Sequence, residues 1–298
     1  MSGQSSSFLA LSVLALAGSM AWPAAAQDSE SEEATATEGE KKDVEDEAPP
    51  PKKKGKEEET TPPETASGES SAVEEPGRTY YFVGARYRGI IIPKFMMNFF
   101  GEGGRTVYVN GFGPEVGIRK DGFEYNLSIW YAPYSMVKTP FKASNDEIDA
   151  WEIVWSSVKV IYLTSDFLWS HEFSPEFALN YGLGAGIGFV FGDLHRNQAY
   201  PPYAGADPYR WSTCRGPRDP AIVATNNNFY CDAIPDHNHY GDYTEPSWAN
   251  GGSKPIIFPW LALQTGLRFK PHRNFVARLD LGLGTSGFFF GLGLDYGI

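Results

Sequence analysis

The chain has 298 residues, two of them cysteines, and carries 25 Lys and Arg against 37 Asp and Glu, for a net charge of −12. The charge is unevenly distributed. Residues 27–78 hold seventeen acidic and seven basic residues, a net of −10, so only −2 remains for residues 79–298. The acidity therefore says little about the partners of the folded part. Two thiols alone cannot complete a structural zinc site.

The N-terminus reads as a secretory signal peptide. An apolar run of about fifteen residues ends at Trp22 and is followed by Ala24 and Ala26, small residues that signal peptidase accepts. The run is shorter than the roughly 20 apolar residues that a membrane-spanning helix needs. We therefore expect residues 1–26 to be removed after Ala26 and the rest of the chain to be exported.

Residues 27–78 have the composition of a disordered tether. They are rich in Glu, Lys, Pro, Thr and Ser and contain no aromatic residue. Such a segment cannot bury enough apolar surface to offset the entropy lost on ordering. The basic block at 52–56 could contact an anionic polymer such as cell wall, although charge runs are usually only solvated.

From residue 79 the pattern changes to the alternation of period two that indicates strands. It is clearest at 177–192, where Phe177, Tyr181 and Ile187 share one face and glycines dominate the other. An amphipathic helix would need apolar positions three and four apart, and a buried soluble strand would not carry so many glycines. Eight segments follow the pattern, some of them weakly: 80–91, 105–119, 123–131, 151–164, 177–192, 261–270, 275–284 and 288–298.

Short and long connections alternate between these segments. The short ones are 120–122, 165–175 and 271–274; the long ones are 94–104, 135–150 and 193–254, with a tight exception at 284–287. Outer-membrane barrels place short turns on the periplasmic side and long loops outside, and they have an even number of antiparallel strands. Residues 79–298 are thus predicted to be all-β, an eight-stranded antiparallel up-and-down transmembrane barrel with a long outer loop at 193–254.

The charged residues within these strands are predicted to point into the lumen. A charge facing lipid near the membrane midplane costs about 2–4 kcal/mol, and an eight-stranded lumen is only wide enough for side chains. We therefore expect an interior plugged by ion pairs. The predicted lumen network is Arg86, Arg88, Glu115, Arg119, Glu124, Lys159, Arg268, Lys270, Arg278, Asp280 and Asp295.

The last strand, 288–298, alternates to the final residue of the sequence. Its predicted outward face is Phe290, Leu292, Leu294, Tyr296 and Ile298. It resembles the C-terminal sorting strand of bacterial outer-membrane proteins, which the barrel assembly machinery recognises, although those strands usually end in Phe. By topology and patterning, residues 79–298 resemble the small outer-membrane barrels of the A, X and W type. The resemblance implies outer-membrane lipid and the assembly machinery as partners.

Loop 193–254 is the most unusual segment, since connections this long are usually functional or disordered. Cys214 and Cys231 lie within it and are predicted to form a disulfide in an oxidising compartment. The loop is interpreted either as an external binding surface rich in aromatic residues or as a lid held by its own rings. His237 and His239 could be two ligands of a metal site, but the sequence assigns no third ligand to them.

Some small outer-membrane barrels modify lipid A, and a Ser, His and carboxylate set would indicate such an activity. The run Ser170-His171-Glu172 has suitable residue types, but neighbours along a strand point to opposite faces. We therefore expect a structural or surface-interaction barrel that is not an enzyme, with a narrow solute channel as the first alternative. A lipid-modifying enzyme is the second, and a soluble lipocalin-like barrel the third. No cofactor, metal or nucleic-acid partner is expected, and the external ligand stays unidentified.

Overall fold

The computed structural model describes residues 73–99, 101–224, 228–232 and 239–298. The expected signal peptide and all but the last six residues of the expected tether lie outside this part of the chain. The strands are Tyr80–Ile92 (β1), Gly101–Gly103 (β2), Val107–Lys120 (β3), Phe123–Ala143 (β4), Glu152–Glu172 (β5), Phe177–Phe191 (β6), Leu194–Tyr200 (β7), Ser212–Thr213 (β8), Ile257–His272 (β9), Phe275–Gly284 (β10) and Gly287–Gly297 (β11).

Eight of these strands close into an antiparallel barrel, which confirms the predicted fold class. The circuit runs β1, β3, β4, β5, β6, β9, β10 and β11, and β11 pairs back onto β1. A path that starts at Tyr80 on β1 and passes from each residue to its partner on the next strand goes once around the barrel and returns to β1 at Ile90. The strands are therefore staggered by ten residues on closure. A stagger of this kind accompanies strands tilted by about 35–45°.

The outer face of the barrel wall is apolar. On β6, Phe177, Tyr181, Leu183 and Phe189 are exposed, whereas the intervening Asn180 is buried. The five outward residues predicted on the last strand are also exposed. Strands β10 and β11 have 10 and 11 residues, the length that crosses a bilayer when tilted. The wall therefore has the alternation of a transmembrane barrel, with apolar side chains towards lipid.

The two ends of the barrel differ. At the turn end, β3 and β4 join through Asp121 (φ 49°) and Gly122 (φ 78°), a two-residue hairpin of the type that favours Asp-Gly. Aromatic pairs ring this end outside, including Phe123 with Trp169 and Phe177 with Phe269. Such belts mark the interface of a membrane with water. The other end, called the loop end here, carries the long connections.

Some predicted boundaries were wrong. The fourth predicted segment, 151–164, was expected to end at Thr164, but the corresponding strand β5 continues to Glu172, so only residues 173–176 form the turn. Asp166 lies in the predicted link 165–175, but its side chain points into the barrel, where it pairs with Arg86 and Arg88. Likewise β4 extends to Ala143 through most of the predicted loop 135–150.

Beyond the barrel, the long strands β4 and β5 continue as a sheet at the loop end. Residues 141–143 of β4 pair with β2, and residues 152–156 of β5 pair with β7, which pairs with β8. The described residues of loop 193–254 thus contribute two strands, but both join this loop-end sheet and neither enters the barrel wall. The described helices are short, and none has the length and hydrophobicity needed to traverse a bilayer.

Candidate functional site

The interior of the barrel is divided into two zones. The charged zone lies towards the turn end and comprises Arg86, Arg88, Glu115, Arg119, Glu124, Asp166, Arg268, Lys270, Arg278, Asp280 and Asp295, all buried. The aromatic zone lies towards the loop end and comprises Ile90, Val109, Trp130, Tyr134, Val158, Val160, Tyr162, Phe258, Trp260 and Phe289. Strands β1, β3, β4, β5, β9 and β11 supply inward side chains to both zones, and β10 supplies only the charged zone.

Arg278 is the centre of one half of the charged zone. Its guanidinium contacts Glu115, lies 2.6 Å from Glu124 Oε1 and lies 3.0 Å from Asp295 Oδ2. A methyl group at Gly293 would come within 3.1 Å of this guanidinium. Three strands thus send carboxylates to one cation, and a glycine on β11 leaves room for it.

Asp166 organises the other half. Its carboxylate contacts Arg86 and accepts a 2.6 Å hydrogen bond from Arg88, while Arg86 also pairs with Asp280 at 2.8 Å and Glu115 at 3.2 Å. All five side chains are buried. Charges buried this deeply persist only when paired and hydrogen-bonded, and here each cation has at least one carboxylate.

Arg88 also marks the boundary between the zones. Its guanidinium carbon lies 5.0 Å from the Trp260 ring centroid, 5.3 Å from that of Trp130 and 5.5 Å from that of Phe289. Cation–π contacts of this kind are favourable in a desolvated site. One side of the guanidinium therefore binds Asp166 and the other meets the aromatic zone.

The aromatic zone is packed ring against ring. Trp130 stacks on Tyr162 at 4.2 Å, and Trp260 meets both of them edge-on at 5.2 and 5.5 Å. The hydroxyls of Tyr134 and Tyr162 lie 2.9 Å apart. A methyl group at Gly188 would come within 2.6 Å of the Tyr162 ring, so glycine at this position makes the packing possible. Above the rings, an apolar cavity of about 20 Å³ has room for no more than a water molecule.

The turn-end mouth, defined here as Arg119, Arg268 and Lys270, is closed by a residue that precedes the barrel. Glu74 Oε2 lies 2.8 Å from Arg119, and Glu74 Oε1 lies 3.0 Å from both Arg268 and Lys270. Burial alone would raise the pKa of Glu74, but Arg268 and Arg119, with hydrogen bonds from Arg119 and Lys270, lower it to about 2. This residue was expected to belong to a disordered tether.

Ten of the eleven residues predicted for the lumen network are buried in the barrel, and Lys159 is not. It is exposed on the outer face, paired with Pro133 and with Phe191, the last residue of β6. The prediction was wrong because Val158, Val160 and Tyr162 take the inward positions there and fill the aromatic zone. At this rim a lysine can extend its ammonium group to water or headgroups.

Charge balance was the signal that the sequence prediction missed. The predicted network has seven cations and four anions, an excess of three positive charges. When Lys159 is removed from this set and the anions Asp166 and Glu74 are added, the described interior residues comprise six cations and six anions. An excess of three positive charges in a closed lumen indicates that further carboxylates face inward.

The loop-end sheet carries a second polar cluster. Glu152 Oε2 lies 2.7 Å from Arg196, and Arg196 also lies 3.6 Å from Glu245. His239 Nδ1 lies 2.9 Å from the other Glu152 oxygen. Burial alone would raise the pKa of Glu152, but Arg196 and His239 lower it below its ordinary value. The sulfurs of Cys214 and Cys231 are bonded, and both residues are buried. These contacts hold the described residues of the loop in place.

The described residues give no support to the two weaker chemical hypotheses, a catalytic set at Ser170-His171-Glu172 and a metal site at His237 and His239. Ser170 lies beside Arg119 and Asn180, Glu172 pairs with Arg119, and His171 is exposed with its ring against Phe173. These three residues therefore do not form a relay. In the described part of the chain, no group of three His, Cys, Asp or Glu could hold a metal ion. His237 lies outside the described residues, and His239 pairs with Glu152.

No family model matches the sequence, and no curated protein matches it. Solved structures that resemble it include Ail of Yersinia pestis in complex with the heparin analogue sucrose octasulfate. That match has 12% identity and a TM-score of 0.34, and it covers 75% of this chain and all of Ail. Neisserial surface protein A matches at 8% identity with a TM-score of 0.32, covering 74% of this chain and 96% of that one. The translocator domain of NalP from Neisseria meningitidis matches at 8% identity with a TM-score of 0.19, covering 76% of this chain and 90% of that one.

These sequence identities are low, so the assignment of the barrel type rests on the geometry of this chain. Eight antiparallel strands close on themselves, apolar side chains cover the outside, and charges are paired inside. A soluble barrel would have the opposite arrangement of faces. Closure also satisfies the backbone groups that lipid cannot. The chain is a small eight-stranded β-barrel of the outer-membrane type.

Proposed function

We propose that this barrel has a structural or surface-interaction role and that its lumen is closed by its own side chains. The observation that carries the proposal is the series arrangement of the two zones. A solute entering at the turn end meets Glu74 and the ion pairs of the charged zone, then the stacked rings of Trp130, Tyr162 and Trp260. An eight-stranded barrel has room for little more than such side chains.

The loop-end sheet is the proposed interaction surface. It extends the β4–β5 hairpin beyond the barrel, and the disulfide and the Glu152–Arg196 pair stabilise it. A pre-ordered surface loses less conformational entropy on binding than a flexible loop does. In this proposal the turn end and the tether face the periplasm, and the loop-end sheet faces the cell exterior. Lipid and the barrel assembly machinery are the proposed partners, and the cell wall is a further proposed partner through the tether.

Cell fractionation combined with conductance tests the closed-lumen part. We expect the protein in the outer-membrane fraction as a heat-modifiable band, and no stable open state in planar bilayers. Trp130→Ala/Trp260→Ala should also stay non-conducting, because the ion pairs of the charged zone still close the lumen in series with the rings that it removes. A stable conductance in the unmodified protein would overturn the proposal in favour of the solute channel. Recovery in the soluble periplasmic fraction would overturn the membrane assignment.

Epitope insertion tests the orientation. A short tag after Gly216, which has open space around it, is expected to bind antibody on intact cells. The matched control is the same tag between Asp121 and Gly122 in the turn-end hairpin, which should bind only after the outer membrane is permeabilised. The reverse pattern would contradict the proposed orientation.

A further inference from the structure

The residues just before the barrel form a compact turn that directs Glu74 into the turn-end mouth. Pro76 and Gly77 (φ 77°) are the central residues of a turn closed by a 3.2 Å hydrogen bond from Arg78 N to Glu75 O. Pro followed by a glycine with positive φ is the signature of a type II turn. Gly77 N also donates to Asp121 Oδ1 at 2.6 Å, which joins the turn to the β3–β4 hairpin.

The mouth needs an anion that the strands do not supply. The interior side chains contributed by the described barrel strands comprise six cations and five carboxylates. The excess positive charge lies at the mouth, where Arg268 and Lys270 are buried and the nearby Glu124 is shared with Arg278. Glu172 pairs with Arg119 only, and its side chain is half exposed at 53%. Glu74 brings the interior to neutrality.

The contacts of Glu74 are those of a bound carboxylate. Both oxygens are used, one by Arg119 and the other by Arg268 and Lys270, and the Glu74 side chain is only 14% exposed. Charge-assisted hydrogen bonds of this length are roughly twice as strong as neutral ones. The neighbouring Glu75 differs in burial and in its partner, because its side chain is 68% exposed and pairs with Arg78.

We propose that the turn-end mouth is a carboxylate-binding site built by Arg119, Arg268 and Lys270, and that Glu74 is its resident ligand. The segment 73–77 is then a stopper supplied by the chain itself. A carboxylate on another molecule can occupy the same site only when Glu74 has left it. The inference concerns the turn end alone and does not depend on the role of the loop-end sheet.

Chemical rescue of a Glu74 variant tests the site. Glu74→Ala leaves three cations facing an empty position, so we expect the midpoint of heat-modifiability to fall by about 5 °C. Formate at about 0.1 M should restore most of this loss, whereas chloride at equal ionic strength should not. Glu75→Ala is the matched control and should neither lose stability nor respond to formate.

A charge-balanced double variant separates a binding site from a packing effect. Glu74→Ala/Lys270→Met returns the interior to equal numbers of cations and anions. Its midpoint of heat-modifiability should therefore lie above that of Glu74→Ala, and formate should no longer raise it. The proposal is overturned if Glu74→Ala melts like the wild type, or if formate stabilises the Glu74→Ala and Glu75→Ala variants equally. If Glu74→Ala does not assemble in cells, the same comparison is made by refolding into micelles with and without formate.

Discussion

The charged and aromatic zones occupy one lumen and share six of its strands, yet they are stabilised in different ways. In the charged zone each carboxylate is held by cations from other strands, as Arg278 holds Glu115, Glu124 and Asp295. In the aromatic zone Trp130, Tyr162 and Trp260 fill space by stacking. A charged zone is therefore most sensitive to the loss of one partner, and an aromatic zone to the loss of volume.

The largest effect is expected from Arg278→Met. The substitution keeps most of the volume but leaves three buried carboxylates without their shared cation, which should cost about 3–5 kcal/mol of unfolding free energy. Urea unfolding of the protein refolded in micelles measures it. Arg105→Met, at an exposed arginine, is the control and should change stability little. A loss below about 1 kcal/mol for Arg278→Met would show that the charged zone is not organised around this residue.

Asp295→Leu should have a smaller effect, because it removes one of the three carboxylates and Arg278 keeps the other two. We expect a loss of about 1–2 kcal/mol in the same assay. If Asp295→Leu cost as much as Arg278→Met, the three carboxylates would not be sharing one cation.

In the aromatic zone, Trp260→Ala should cost about 3 kcal/mol by creating a cavity, with no change in charge. This loss and that of Arg278→Met should both depend little on salt, because buried pairs are screened much less than exposed ones. The measurement is the urea midpoint at low and high ionic strength for both variants. A strong salt dependence of either loss would contradict the burial of the substituted side chain.

A pH comparison isolates Glu74 from the other charged groups. The pKa of Glu74 in the folded protein, about 2, lies below its ordinary value of 4.5, so its stabilising contribution is complete above pH 4.5 and is lost as the pH falls through 2. The groups facing it are Arg119, Arg268 and Lys270. We expect the melting difference between wild type and Glu74→Gln to be constant above about pH 5 and to close by about pH 2. A difference that did not vary with pH would contradict the ion pairing.

The smallest effect is expected from Tyr162→Phe. It removes the 2.9 Å hydroxyl contact with Tyr134 and leaves the ring stack intact, so the loss should be about 1 kcal/mol by urea unfolding. Tyr134→Phe is the matched control and should give a similar loss, with little further loss in the double variant. Additive losses would mean that the two hydroxyls have separate partners.

The alternation of the sequence determined the barrel itself. Because side chains on a strand alternate with a period of two, the outward face of β6 and of the last strand followed directly from residues such as Phe177, Leu183 and Leu292. The Asp121-Gly122 turn and the even strand number also followed from local signals and connection lengths. These features depend on residues near one another in the chain.

Only the tertiary structure decided which charges meet. Arg278 reaches Glu115 across 163 positions of sequence, and Glu74 reaches Lys270 across 196, because closure with a stagger of ten residues sets the height of every side chain in the lumen. The faces taken by Asp166 and Lys159, by contrast, follow from the alternation along β5 once Val158, Val160 and Tyr162 point inward. A local pattern of period two specifies a face, whereas the depth of a side chain and its partner across the lumen depend on how all eight strands close.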